Sequence, residues 1–166
     1  MNRLTILTIG LVIFGQAATA QQSSDKKKAK SSPKVVFVCE HGSAKSVMAA
    51  AEFERLAKQK GVAFQILSRG ANPDVEVDAP IRQHLLADGM DIGLAKPVKV
   101  SEKDLQGATR VISFGPELAP LLPKGTKALD WSAMPSPNKD YGVAREYLLK
   151  QLDALVVEMR KPEHAK

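Results

Sequence analysis

Apolar residues recur along this chain in two rhythms, one continuous and short, the other spaced by three and four. Val35-Val36-Phe37-Val38 is a near-continuous apolar run, the pattern of a strand buried on both faces. Ala49, Phe53, Leu56 and Ala57 then recur at helical spacing, which predicts a helix from Ser46 to Lys60 with Gly61 as its stop. Phe64 to Ser68 reads as a second strand, followed by a loop over Arg69-Gly70-Ala71-Asn72-Pro73. Asp78 is placed to cap a second helix with Pro80 in its first turn and Gly89 past its end. Ser101-Glu102-Lys103-Asp104 has the spacing of a capping box on a short helix. Arg110 to Phe114 predicts a third strand and Thr126 to Asp130 a weaker fourth. Asn138 or Asp140 opens a last helix whose stripe is Ala144, Leu148, Leu152, Leu155, Val156 and Met159. Strands that alternate with helices imply an α/β domain built on a parallel sheet covered on both faces. Ligands of such sheets bind beyond the carboxyl ends of the strands.

The first twenty residues break the pattern. Arg3 is a short positive start, Leu4 to Phe14 is mostly apolar, and Ala18-Thr19-Ala20 is a small-residue cleavage signal before Gln21. This is the build of a secretory signal peptide, and the apolar run is too short to span a bilayer. The expected organisation is a signal peptide at 1–20, a polar Lys/Ser-rich linker at 21–33, one α/β domain at 34–160 and a tail at 161–166. Export to the periplasm or the medium follows, with no membrane anchor.

The chain carries a net charge of +6, and Arg3 is the only charged residue of 1–20, so cleavage lowers the balance to +5. Much of that excess lies in the linker, around Lys26-Lys27-Lys28 and Lys30, where it reads as a solvated tail. Aromatic residues make up 5% of the chain, too few for the stacking platforms of single-strand nucleic-acid binders. No nucleic-acid partner is expected.

Cys39 is the single cysteine. An exported protein with one cysteine has no internal disulfide to make, so a free thiol or an intermolecular bond remains. Most lone cysteines are small buried hydrophobes. Here three features point elsewhere. Cys39 ends the first strand, a turn rich in small residues (Gly42-Ser43-Ala44) follows it after Glu40 and His41, and Lys45 and Ser46 lead into the next helix. Helix N-terminal N–H groups, a lysine and two hydroxyls form surroundings that bind anions and favour a thiolate. A nucleophile in an oxyanion-binding loop is what cysteine-dependent phosphoryl transfer requires.

The string Cys39-Glu40-His41-Gly42-Ser43-Ala44-Lys45-Ser46, at the end of a first strand, resembles the phosphate loop of the low-molecular-weight protein tyrosine phosphatases and their arsenate reductase branch. The similarity runs on through Ser68-Arg69-Gly70, where the family has Ser-Ala-Gly, and spans roughly Lys34 to Met159. It implies a single domain with a four-stranded parallel sheet and helices on both faces. It also implies Cys39 as nucleophile, Ser46 as the hydroxyl supporting its thiolate, and residues 40–46 as the substrate-binding loop. The chain departs from the pattern at three points. Lys45 stands where the family has Arg and keeps the charge without the planar fork. His41 and Gly42 replace Gly and Asn. Ser136-Pro137 aligns with the family's Asp-Pro, and serine is no general acid near neutral pH. Asp130, at a strand end, is the candidate replacement acid, with a turn cap as its plainer role. His84 and His164 lack metal-ligand spacing to Cys39, so no metal or other cofactor is expected.

Three readings follow. The first is an exported phosphatase-like hydrolase of altered or weak activity, acting on a phosphomonoester such as phosphotyrosine. The second is a phosphate- or oxyanion-binding protein without turnover. The third is an arsenate reductase that borrows an external thiol. A monomer is expected in each case.

Overall fold

Residues 32–160 are described by a computed structural model. The expected signal peptide, nearly all of the linker and the C-terminal tail lie outside the described residues. Four strands form one parallel sheet: β1 (Lys34–Cys39), β2 (Gln65–Gly70), β3 (Arg110–Ser113) and β4 (Leu129–Asp130), in the order β2-β1-β3-β4. The helices are α1 (Lys45–Gln59), α2 (Ala79–Ala87), α3 (Glu102–Leu105) and α4 (Tyr141–Arg160). The four-stranded parallel α/β architecture expected from the sequence is the one observed.

The apolar run of β1 explains its central place. Alternate side chains go to opposite faces of a strand. Val35, Phe37 and Cys39 therefore join the core under α1, α2 and α4, with Met48, Phe53, Ile81, Leu85, Leu148 and Leu152. Val36 and Val38 join a second, smaller core with Val100, Leu105, Val111 and Leu118. Both faces are dry, so a strand of alternating polarity would not serve here.

Several details differ from the sequence reading. β2 begins one residue later and runs through Arg69 and Gly70, because these residues pair with Val38 and Cys39. β4 is only Leu129–Asp130, held by Ile112 and Ser113. Asp78 precedes α2 but makes no side-chain cap; its carboxylate accepts a hydrogen bond from Asn138 Nδ2 at 2.7 Å. Asp140, not Asn138, caps α4, accepting from Val143 N at 3.0 Å. The Ser101–Asp104 capping box is present in both directions.

A buried polar cluster fastens α1 to α4. Glu52 is fully buried in α1, and its carboxylate takes Arg55 Nε at 2.8 Å and Arg145 Nε of α4. Arg145 also lies 3.4 Å from Asp88, which accepts from the Tyr141 hydroxyl at 2.7 Å. Burial, then the bond to Asp88, pushes the Tyr141 phenol well above its ordinary value.

Candidate active site

β1 delivers Cys39 to the carboxyl edge of the sheet, and the chain then turns through 40–44 into α1. The orientation of that turn is set by backbone hydrogen bonds to the segment after β2. Cys39 O accepts from Ala71 N (3.0 Å), Glu40 O from Asn72 N (2.8 Å), His41 O from Asp74 N (2.9 Å) and Ser43 O from Asp78 N (3.2 Å). All described peptide bonds are trans, and in a trans peptide the C=O and the following N–H point in opposite directions. Tying these four carbonyls to one side therefore aims the N–H groups of Glu40, His41, Gly42 and Ala44 to the other. Gly42 N shows the outcome directly, donating to Cys39 Sγ at 3.2 Å. α1 adds to the set of free donors, because its N-cap, Ala44, makes no side-chain cap.

Two glycines let the strands and the turn approach this closely. Gly42 has φ +65, and a Cβ on it would lie 3.0 Å from Gly70 N. A Cβ on Gly70 would lie 2.8 Å from Gly42 N and 2.9 Å from the His41 carbonyl carbon. The Ser68-Arg69-Gly70 string thus has a definite steric job: its glycine is the floor on which the turn rests.

The sulfur is buried and has two polar neighbours. Besides Gly42 N, Ser46 Oγ lies 3.1 Å away. Ser68 Oγ donates to Ser46 Oγ at 3.0 Å. Either group can donate in the Ser46–Cys39 contact while the sulfur is a thiol; to a thiolate, which accepts only, Ser46 is the donor. Lys45 Nζ, at the start of α1, donates to Met134 O at 2.6 Å, tying the turn to the segment after β4. Burial lowers the Lys45 ammonium from its ordinary value, and the charge interaction with Cys39 only partly offsets it.

A pocket of about 470 Å³ opens over the sulfur. Cys39, Glu40, His41, Ser43, Ala44 and Lys45 line one side of it, with Asp74, Asp78, Phe114 and Ser136-Pro137-Asn138 opposite. The structure thus brings the whole predicted loop and Ser136 to one place; Gly42 and Ser46 lie beneath, packed against Gly70 and bonded to the sulfur. Glu40 points outward and accepts from Asn72 Nδ2 at 2.6 Å. Asp130 is elsewhere. It lines a different and larger pocket, about 580 Å³, with Ser113, Gly115, Glu117, Leu122 and Ala128 among its other walls. Its exposed carboxylate accepts from Ser132 N at 2.8 Å. That backbone bond, then the Ser132 side chain, lowers its titration further, away from what an acid catalyst needs. The geometry gives Asp130 the turn-capping role. Arg69 is largely covered and paired with Asp104 at 2.8 Å. Trp131 packs among Phe37 and Phe114 as a core residue.

Asp74 and Asp78 escaped the sequence reading as site residues. Asp74 accepts from Ser43 Oγ at 2.6 Å and lies 3.4 Å from His41 Nδ1. The available signal was positional: both aspartates follow the carboxyl end of β2, where α/β sheets gather their ligands. Among the described residues no group of three or more His, Cys, Asp and Glu side chains is disposed to hold a metal ion. No described helix is long and apolar enough to cross a membrane.

Cys39 thus ends a central parallel strand at a turn whose carbonyls are tied to the segment after β2. Comparison with solved structures identifies the fold. A low-molecular-weight protein tyrosine phosphatase from Bacillus subtilis superposes with a TM-score of 0.69 at 17% identity, covering 79% of this chain and 99% of that one. A thioredoxin-dependent arsenate reductase from Corynebacterium glutamicum gives 0.67 at 22%, covering 80% of this chain but 64% of its own. An arsenate reductase in its phosphate-binding state gives 0.64 at 22%, with 76% and 98% covered. The chain has the fold of the low-molecular-weight phosphatases and arsenate reductases. No protein-family model matches the sequence, and no curated protein does.

Proposed function

We propose that this chain is an exported phosphomonoester hydrolase that works through a Cys39 thiolate. The observation that carries the reading is the turn at 39–44, in which the Cys39, Glu40, His41 and Ser43 carbonyls are tied to residues 71–78 and the Gly42 amide donates to the sulfur. Such donors need no reorganisation when an anion arrives. A phosphoryl group seated there has its oxygens on the amides and Lys45, and its phosphorus in line with Sγ. Attack forms an S–P bond and expels the alcohol; water then releases phosphate. The fold shared with phosphatases, and with an arsenate reductase described in a phosphate-binding state, supports this assignment. Arsenate reduction at this site would need a second thiol from another molecule, since Cys39 has no companion cysteine.

A second reading, oxyanion binding without turnover, has its own support. Ser136 lines the pocket where the resemblance calls for an aspartic acid, and Lys45 spends one hydrogen bond on Met134 O. Aryl-phosphate hydrolysis under reducing conditions, with phosphate affinity measured by calorimetry, separates the two. The hydrolase reading expects turnover that Cys39→Ser abolishes. It also expects Lys45→Arg with Ser136→Asp to raise the rate by at least about tenfold, a modest gain against the ~10²–10⁴-fold usual for general acid catalysis. Phosphate binding with no turnover in either protein would establish the binding reading; no phosphate binding at all would overturn both. Recovery of the chain from the periplasm or medium beginning at Gln21 tests export, and a full-length cytosolic product would refute it.

A further inference from the structure

The hydrolase reading leaves the leaving group without an evident proton donor, and the groups around the pocket narrow the choice. Ser136 is a hydroxyl. Asp130 belongs to another pocket and holds Ser132 N. Asp78 accepts from Asn138 Nδ2 on one oxygen and Glu40 from Asn72 Nδ2 on one oxygen, and neither contacts a second titratable group among the described residues that would relay a proton. Lys45 gives one N–H to Met134 O and keeps the others for the phosphoryl oxygens. Asp74 has one carboxylate oxygen taken by the Ser43 hydroxyl, and the other faces His41 Nδ1 at 3.4 Å. His41 lies two residues from the nucleophile on the rim of the same pocket. With Nδ1 turned to Asp74, its Nε2 is the nitrogen left to reach a ligand.

We propose that His41 supplies the leaving-group proton and that Asp74, itself fixed by Ser43, positions it. This rests on the hydrolase reading and deepens it. In the first step the Cys39 thiolate attacks phosphorus and the P–O ester bond breaks. The bonding pair goes to the ester oxygen, which takes the Nε2 proton, and a neutral alcohol leaves neutral His41 behind. In the second step His41 takes a proton from the attacking water. The water oxygen bonds to phosphorus, the S–P bond breaks, and thiolate, imidazolium and phosphate dianion are restored. Asp74 matches the imidazolium by charge in both steps and holds Nδ1, so that Nε2 is the atom that exchanges protons. Glu40, Asp78 and Lys45 line the same pocket, and none of them changes its protonation in this scheme.

A proton donor matters most for poor leaving groups, and this gives a test that a merely structural role would not pass. The wild type, His41→Gln and Asp74→Asn are compared on 2,4-dinitrophenyl, 4-nitrophenyl and phenyl phosphate, with phosphate affinity measured for each. The expected result for His41→Gln is a loss of about 10²-fold in kcat/KM on phenyl phosphate and little loss on the dinitrophenyl ester. Phosphate affinity should hold within a few-fold. Asp74→Asn should show the same trend with a smaller loss, about tenfold on phenyl phosphate. An equal loss on all three esters, or none, with the wild type active, overturns the assignment of His41 and leaves the hydrolase reading standing. A wild type inactive even on the dinitrophenyl ester overturns both.

Discussion

Replacing Gly70 by alanine should damage the anion site more than it damages the fold, and the structure sets the size of both effects. Gly70 does not have a positive φ, so alanine fits its backbone and the cost arises from contact alone. The new Cβ would lie 2.8 Å from Gly42 N, 2.9 Å from the His41 carbonyl carbon and 3.1 Å from Gly42 Cα. All three are backbone atoms with no rotamer to change. Reaching an ordinary contact of 3.4 Å requires the turn to move by about 0.6 Å. Overpacking of this kind costs ~1–3 kcal/mol. The reduced freedom of the unfolded chain returns ~0.4–1 kcal/mol, for a net loss of about 1–2 kcal/mol. The displaced atoms belong to the His41–Gly42 peptide, which carries the Gly42 N–H. Losing one good hydrogen bond to a charged ligand costs ~1.5–3 kcal/mol, so phosphate should bind about tenfold more weakly or worse. Urea unfolding and phosphate calorimetry read the two effects separately. Gly142→Ala is the control: its Cβ meets only Asp140 Oδ1 at 3.5 Å. In a helix that change should be neutral or stabilising by up to about 1 kcal/mol, with phosphate affinity unchanged. A Gly70→Ala protein that binds phosphate as the wild type does would refute the claim that this contact sets the donor geometry.

Two further predictions concern stability. Glu52→Ala removes the fully buried partner of two arginines. Breaking a buried pair costs ~3–5 kcal/mol, but Arg145 keeps Asp88 at 3.4 Å and both arginines reach solvent. A loss of about 2–3 kcal/mol in urea unfolding is therefore expected, and one below about 1 kcal/mol would show the cluster to be dispensable. For Asp104, burial raises the carboxyl, but the bonds from Arg69 and Ser101 outweigh it, and the net shift is downward. A carboxylate depressed on folding stabilises the native state above its unfolded value and loses that contribution as pH falls through the folded one. Asp104→Asn should thus cost about 1 kcal/mol at pH 7, with the gap to wild type closing below about pH 4; a gap that persists at pH 2 would refute the linkage.

The parts of this molecule encoded by short-range pattern were legible in the sequence. The unbroken apolar run of β1 announced a strand dry on both faces, and the small-residue turn after it announced the nucleophile loop. Ser101 and Asp104 announced their own capping box. Contacts between distant segments were not legible. Ser43 and Asp74 are 31 residues apart, and Lys45 and Met134 are 89 apart; nothing local to any of them signals the meeting. Asp130 was misplaced because a strand end pointing toward the ligand edge of the sheet has room for two separate pockets, and two-residue β4 leads into the other one. Arg69 was read as loop because polar residues in β2 break the expected apolar pattern; pairing with β1 and an ion pair with Asp104 make the strand continue there.

The ladder that joins 39–43 to 71–78 uses only main-chain atoms. Its information content therefore lies in chain path, and side chains at most of its rungs are free to drift. Glu40, Ala71 and Asn72 could each be exchanged over generations while the amides above the sulfur kept their aim. Only Gly42 and Gly70 are held by lack of space. A site written in this way erodes slowly in shape and quickly in letters. That accounts for a chain that superposes on phosphatases and arsenate reductases at 17–22% identity while matching no family model. It also suggests a practical use: the 39–46 turn and the 70–78 segment are best regarded as one transplantable part, since either alone would leave its carbonyls without partners and its amides without direction.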